Sequence, residues 1–208
     1  GKEMQRKLFI ATLTIGFFLA VGCEKEDERI DNFFVDFATV VNLDRRISFQ
    51  LNNRRMLIPK EPINYSGKTG QRVILNYTPL RGDTVKVNHV SDIFTGDIQM
   101  PGFFQQPSKD PIKIQSVLVD GDYLNMIFEA EYHSVQHLIG LFIMDPSSTP
   151  RELYFSHSRN NDPPGYPQTF YASFLIKGLR YPESSDPVPF RLFINTYAGM
   201  REIDLTLE

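Results

Sequence analysis

The stretch ISFQLNNRRMLIP, residues Ile47–Pro59, predicts a β-hairpin and through it the class of the fold. The pair Asn52-Asn53 separates two runs in which apolar and polar residues alternate. Asparagine tolerates positive φ, which favours it in tight two-residue hairpin turns. This turn would place Phe49 opposite Met56 and put Ile58 on the same apolar face. A hairpin with one apolar face is typical of a sheet that covers a core.

Short apolar runs separated by Pro and Gly recur on both sides of this hairpin. Residues 33–100 hold about five such runs, and a small closed barrel would leave so short a sheet without free edges. Residues 101–110 are rich in Pro and Gln and predict a linker. Residues 111–208 hold about seven further runs joined by turn sequences, which predicts an antiparallel sandwich. We therefore expect an all-β chain with two domains.

The beginning of the chain has the layout of an export signal. Basic residues at positions 2–7 precede an apolar run over residues 8–21, which is too short to span a bilayer comfortably. The end of that run, Leu19–Cys23, resembles the lipobox of bacterial lipoproteins. The resemblance implies that residues 1–22 are a cleaved signal peptide and that Cys23 becomes the lipidated first residue. Cys23 is the one cysteine of the chain, so an internal disulfide is excluded.

Residues 23–32 predict a solvated linker, because acids dominate the stretch that follows the cysteine. The order of Lys25 and the acids Glu26–Glu28 resembles the tag that sends some lipoproteins to the outer face of the outer membrane. We expect a lipid-anchored protein of the outer membrane of a Gram-negative bacterium, displayed at the cell surface. Its membrane contact would be the N-terminal lipid.

The segments LNNRRMLIP, GQRVILNYTPL and VKVNHVSDIFTGDI together resemble the NigD-like lipoproteins of Gram-negative bacteria. The resemblance extends over nearly the whole mature chain. It implies an OB-like β-barrel followed by an immunoglobulin-like β-sandwich. It supplies no catalytic residue, because the family has none established. The family name points to a bacteriocin-type gene cluster, and so to protection against a toxin.

The longest polar segment of the second domain, SHSRNNDPPGYPQ, is a candidate ligand-binding loop. Long loops on sandwich folds often carry binding residues. Arg159, Asn160, Asp162 and Tyr166 could contact a glycan or a protein partner there. A loop without a ligand remains the alternative interpretation.

A second candidate is the HxxxH spacing of His133 and His137. If the three residues between them form a tight hairpin, the two rings become cross-strand neighbours. With Glu131 they could then bind a zinc ion in an envelope metalloprotein or hydrolase. A solvated hairpin tip is the alternative, and we assign no metal ligand here.

The remaining sequence favours binding over catalysis. It contains no GxSxG, P-loop, CxxC or dinucleotide fingerprint, so we expect no enzyme activity, no catalytic residue and no cofactor. The net charge of residues 33–106 is only +3, which argues against a nucleic-acid partner. The sequence therefore predicts a cell-envelope lipoprotein that acts as a non-enzymatic interaction module. It leaves the oligomeric state and the ligand open.

Overall fold

The computed structural model describes residues 32–100, 102 and 106–208. The predicted signal peptide and Cys23 lie outside the described residues. The described part of the chain forms thirteen strands and one short 3₁₀ helix, Lys177–Leu179. The strands are β1 Phe34–Leu43, β2 Arg46–Leu51, β3 Met56–Pro59, β4 Arg72–Pro79, β5 Thr84–Asp92, β6 Phe94–Gln99, β7 Lys113–Asp120, β8 Tyr123–Tyr132, β9 Leu138–Ile143, β10 Arg151–Ser158, β11 Tyr166–Leu175, β12 Val188–Thr196 and β13 Gly199–Leu207.

The first five strands close into a barrel in the order β1-β2-β3-β5-β4. Antiparallel ladders join most neighbours, and a short parallel ladder between β3 and β5 completes the circle. Alternate residues along these strands point inward and form the apolar core of the barrel, which consists of Ala38, Val40, Phe49, Leu57, Val73, Leu75, Tyr77 and Val85. The predicted OB-like barrel is confirmed.

The register of the β2–β3 hairpin differs by one residue from the expectation. Phe49 pairs with Leu57 and not with Met56. The loop has three residues because Arg54 adopts a left-handed conformation with φ 67°, as in three-residue hairpin loops. A shift of one residue moves every following side chain to the other face. Leu57 is therefore fully buried, and Ile58 is 51% exposed.

The other eight strands form one sheet in the order β13-β12-β10-β9-β6-β11-β8-β7. The sheet folds over at β6, whose first four residues pair with β11 and whose last two residues pair with β9. Strand β6 falls within residues 33–100, yet it belongs to this sheet and not to the barrel. Its two ladders and the β10–β12 ladder are parallel, while the other four are antiparallel.

The two layers of the folded sheet enclose the larger core. Phe128 of β8 contacts Phe155 of β10 edge-on at 5.3 Å between ring centroids, so the layers interdigitate. Phe174 of β11 contacts the same Phe155 ring from its own layer. Each fully buried side chain of this size contributes roughly 1.5–3 kcal/mol to folding. The predicted β-sandwich is confirmed, but three of its seven ladders are parallel, so it is not the purely antiparallel sandwich that was expected.

No helix in the described part of the chain combines the length and the apolar character needed to cross a bilayer.

Candidate functional site

A groove opens in the wall of the barrel between β2 and β3. The ladder between these strands ends at the pair Phe49–Leu57. Beyond it, β3 turns to β5, because Ile58 N–H donates to the Asp83 carbonyl at 2.9 Å and Lys60 N–H donates to the Val85 carbonyl at 2.8 Å.

Pro59 explains why the ladder stops there. Leu57 and Pro59 share one backbone orientation, since alternate residues of a strand direct their N–H and C=O groups to the same side. That side faces β2, and proline has no N–H to donate across it. The strand β2 therefore keeps an unpaired edge before Phe49.

The groove between these edges has a volume of about 910 Å³. Volumes of this size are typical of ligand sites, which are mostly apolar with a few polar groups. Leu43 and Ile58 expose 67% and 51% of their surface here. The lining combines aliphatic side chains, one tyrosine and a charged rim: Val41, Leu43, Asp44, Arg45, Arg46, Ile47, Ser48, Met56, Ile58, Pro59, Lys60, Glu61, Pro62, Ile63 and Tyr65.

Three cations stand at the rim of the groove. Arg45, Arg46 and Lys60 belong to no ion pair in the part of the chain that the structure describes. Arg45 is also held at φ 65°, and Asp44 before it at φ 51°. Such turns favour Asn-Gly or Asp-Gly, so an arginine in the second position carries backbone strain of about 1 kcal/mol or more.

Tyr65 forms one wall of the groove and is fixed in place. Its hydroxyl donates to Asp92 Oδ1 at 2.5 Å, and its ring lies 6.2 Å from the core ring of Phe49. Burial raises the pKa of Tyr65, and the hydrogen bond to the Asp92 carboxylate raises it further. The phenol therefore stays protonated and committed to Asp92.

The residues predicted to bind a ligand lie at the far end of the sandwich, and most of them make internal contacts. Arg159 donates through its backbone N–H to Asp110 Oδ2 at 2.8 Å and through Nη2 to the Asp162 carbonyl at 3.0 Å. Asn160 donates through Nδ2 to the Gln136 carbonyl at 3.1 Å. Tyr166, in contrast, is 86% exposed, so its side chain is accessible to a partner.

The Asp162 side chain is completely buried and holds the neighbouring hairpin tip. Its two oxygens accept backbone N–H groups from three successive residues, His133, Ser134 and Val135, at 2.7–2.9 Å. Burial opposes ionisation, but these amides and the ring of His137 outweigh it and hold the pKa of Asp162 well below its usual range. This carboxylate organises the loop and is not available to an external ligand.

Two histidines extend this contact into the core. His137 Nε2 lies 3.1 Å from Asp162 Oδ2, and His137 Nδ1 lies 2.8 Å from His157 Nε2. His157 Nδ1 in turn lies 3.0 Å from the Asp110 carbonyl oxygen. The Asp162 carboxylate and the Asp110 carbonyl at the two ends of this row can only accept hydrogen bonds. The three contacts therefore need three N–H hydrogens, and two neutral imidazole rings supply two.

With both rings neutral, one of the three contacts lacks a hydrogen. Burial lowers the pKa of His157, and the neighbouring His137 lowers it further. The hydrogen bond to the Asp110 carbonyl raises this pKa but does not offset the decrease. Both histidines are buried in the core, so their contacts stabilise the conformation of the loop.

The predicted pairing of His133 and His137 at one ion does not occur. His137 is buried in the row above, whereas the exposed His133 ring lies 2.8 Å from the hydroxyl of its neighbour Ser134. Across residues 32–100, 102 and 106–208, no three His, Cys, Asp or Glu side chains are grouped as metal ligands would be.

A buried arginine joins the barrel to the sandwich. Arg72 is fully buried, and it donates to Thr39 Oγ1 at 3.0 Å and to Asn125 Oδ1 at 3.1 Å. Its guanidinium lies 3.9 Å from the centre of the Tyr123 ring. Burial lowers the pKa of Arg72 to about 10, and the group still stays charged at neutral pH.

Asn125 connects this arginine to a second strand of the sandwich. Its Oδ1 also accepts the Ser173 hydroxyl at 2.6 Å, so one amide oxygen links three elements. The β2–β3 loop adds a further contact, since Asn52 Nδ2 donates to Asp120 Oδ2 at 3.0 Å. The groove is thus carried by a barrel that is firmly fixed to the sandwich.

Sequence reasoning did not find the groove or the buried arginine. The one available signal for the groove was Pro59 at the end of a predicted strand, since proline cannot continue a ladder. No local signal marks Arg72, because a charged residue at the start of a strand is normally exposed.

Comparison with known proteins agrees with this architecture. The family model of the NigD-like C-terminal beta sandwich domain matches residues 99–207. No protein with a curated description matches the chain.

Three solved structures are similar over most of their length. A candidate toxin-related protein of Parabacteroides distasonis has a TM-score of 0.72 and 24% identity, with 84% of this chain and 93% of that chain covered. A NigD-like immunity protein of Bacteroides caccae has a TM-score of 0.65 and 20% identity, with 83% and 91% covered. A candidate lipoprotein of Bacteroides fragilis has a TM-score of 0.64 and 11% identity, with 84% and 97% covered. These likenesses show a shared fold.

Proposed function

The chain belongs to the NigD-like family, and from that premise we propose that it is a non-enzymatic lipoprotein of the cell envelope that binds a partner through the barrel groove. The observation that carries the proposal is the open edge of β2 beside an apolar groove of about 910 Å³. Large exposed apolar side chains gathered in one concave site are typical of interaction surfaces.

The scaffold supports a binding function. The guanidinium of Arg72 bonds to both β-units, so the groove is presented by a preorganised body. Preorganisation lowers the entropy cost of binding. Enzymes, in contrast, gather titratable groups in an accessible site, whereas His137, His157 and Asp162 are buried in the core.

Anchoring is the second part of the proposal. Lipidation of Cys23 would attach the chain to the outer membrane, and the acidic residues that follow would favour display at the cell surface. The candidate lipoprotein of Bacteroides fragilis with the same fold supports the lipid anchor. Several acyl chains on one residue would hold the protein firmly, since one chain alone binds only marginally.

Protection against a toxin is a more specific form of the same function. The relative of this fold from Bacteroides caccae is named an immunity protein, and the one from Parabacteroides distasonis is named toxin related. A toxin captured in the groove at the cell surface would be kept from its target.

Position-specific photo-crosslinking in intact cells tests the binding proposal. A photo-reactive residue replaces Leu43 in the groove, and a matched variant carries it at Leu118, which is similarly exposed on β7 outside the groove. We expect a discrete adduct from position 43 and none from position 118. Equal labelling at both positions, or no adduct from position 43, would overturn the proposal.

A further inference from the structure

We propose that the groove binds an extended peptide segment of a partner protein, rich in apolar and acidic residues, which adds as a strand to the free edge of β2. This inference rests on the proposed function and specifies the partner and the mode of contact. Its four supports are the backbone edge, the lining, the charges and the strained turn.

The backbone edge offers hydrogen bonds that only an extended chain can use in full. Leu51 N–H donates to the Arg55 carbonyl across the hairpin, so the odd residues of β2 direct their N–H groups toward β3. Ile47 is four residues earlier and points the same way, where the ladder has already ended. An incoming strand would find its first partners at Ile47, as in strand addition to other sheet edges.

The lining matches the alternating side chains of such a strand. Every second residue of an added strand would point into the groove, toward Leu43, Met56 and Ile58. These side chains are apolar, so they favour apolar residues at alternate positions of the peptide. The free part of β2 spans Arg46–Ser48, which corresponds to a segment of about three residues at roughly 3.3 Å per residue.

The charges favour acids between the apolar positions. Arg45, Arg46 and Lys60 face the opening against Asp44 and Glu61, and the excess is positive. Exposed cations of this kind select a partner of opposite charge and accelerate the encounter.

The strained turn is a further indication that Arg45 serves binding. Glycine would hold φ 65° at lower cost in this turn. Strain of this kind concentrates at functional sites, where the side chain is needed.

A glycan fits the groove less well than a peptide. Sugars are recognised by arrays of polar groups and by aromatic faces, whereas the single aromatic residue of the described lining is Tyr65, whose hydroxyl is committed to Asp92. Sugar hydroxyls could meet single groups of the backbone edge, whereas an extended chain pairs with its N–H and C=O groups in turn.

Selection from a displayed library of linear twelve-residue peptides tests the inference on the full chain in detergent. We expect enriched peptides with alternating apolar and acidic residues. We expect the double variant Arg46→Glu/Lys60→Glu to bind them about tenfold more weakly. Lys86→Glu, a charge reversal on the same barrel outside the groove, should leave the affinity unchanged.

Arg45→Gly separates binding from stability. It removes a cation and relieves the left-handed backbone, so it should raise the urea midpoint and at the same time weaken peptide binding. A loss of binding in a more stable protein cannot come from unfolding. Unchanged affinity in both groove variants would overturn the inference.

A glycan array run on the same preparations distinguishes the two levels of the argument. Glycan binding that the groove variants weaken, without any enriched peptide, would overturn the peptide inference and keep the groove as a binding site. No peptide and no glycan, together with no crosslink from position 43, would overturn the proposed function as well.

Discussion

Replacing Arg72 by Met should destabilise the protein and loosen the attachment of the barrel to the sandwich. Methionine keeps much of the length of the side chain and removes the charge and its donors. The two hydrogen bonds to Thr39 and Asn125 come from a charged donor and contribute roughly 1.5–3 kcal/mol each. The contact with the Tyr123 ring adds about 1–2 kcal/mol.

Desolvation offsets much of this gain. Burial lowers the pKa of Arg72 to about 10. At roughly 1.4 kcal/mol per pKa unit, this fall from the ordinary pKa of arginine corresponds to a cost of about 3.5 kcal/mol. The balance favours the arginine by about 2 kcal/mol, which is the destabilisation that we expect for Arg72→Met.

Urea unfolding followed by far-UV circular dichroism and by tyrosine fluorescence measures both effects. The original protein should unfold in one transition by both probes, while Arg72→Met should unfold earlier and with transitions that no longer coincide. Arg201→Met, at an exposed position of β13, serves as the matched control and should change stability by less than about 0.5 kcal/mol. An unchanged or higher midpoint for Arg72→Met would refute the claim that this guanidinium stabilises the junction.

Three further predictions follow from the loop, the groove and the anchor. Because the pKa of His157 is lowered in the folded protein, the unfolded chain takes up this proton first, and the urea midpoint should fall as the pH drops below about 6.5. The lowered pKa of Asp162 should add a second loss of stability below about pH 4. A urea midpoint that is constant from pH 7 to 5 would contradict the first expectation. Pro59→Val introduces an N–H that can donate to the Ile47 carbonyl, so the new amide at position 59 should exchange slowly and the crosslink from position 43 should disappear. A fast amide at position 59 would show that another cause opens the groove. Cys23→Ala should release the protein from the membrane fraction. Protease added to intact cells should cut the original protein and should not cut the variant that stays inside. Protection of the original protein until the cells are opened would exclude surface display.

The sequence predicted the fold class because the β-signal is local. Alternating residues and turn sequences are visible in the chain, and both β-units follow from them. The register of the first hairpin was wrong by one residue, since Asn52-Asn53 looks like a complete turn and the left-handed conformation of Arg54 is not visible in the sequence. That single residue decided whether Ile58 was core or groove.

The candidate site was harder to predict, because burial depends on distant residues. Asp162 lies in a polar stretch, which favoured exposure, yet three backbone amides from residues 133–135 surround its carboxylate. Arg72 similarly meets Asn125, which is 53 positions away in the chain. Hydrogen bonds of this range are set by the topology of the sheets, and no local pattern records them.

Amide hydrogen exchange tests most directly whether the groove between β2 and β3 binds a peptide strand. Exchange at single-residue resolution is measured on the full chain, free and saturated with the strongest peptide from the displayed library. We expect the Ile47 amide to exchange quickly in the free protein and to become protected in the complex, with no change at Arg159–Tyr166. Protection confined to Arg159–Tyr166, with Ile47 unchanged, would contradict this expectation.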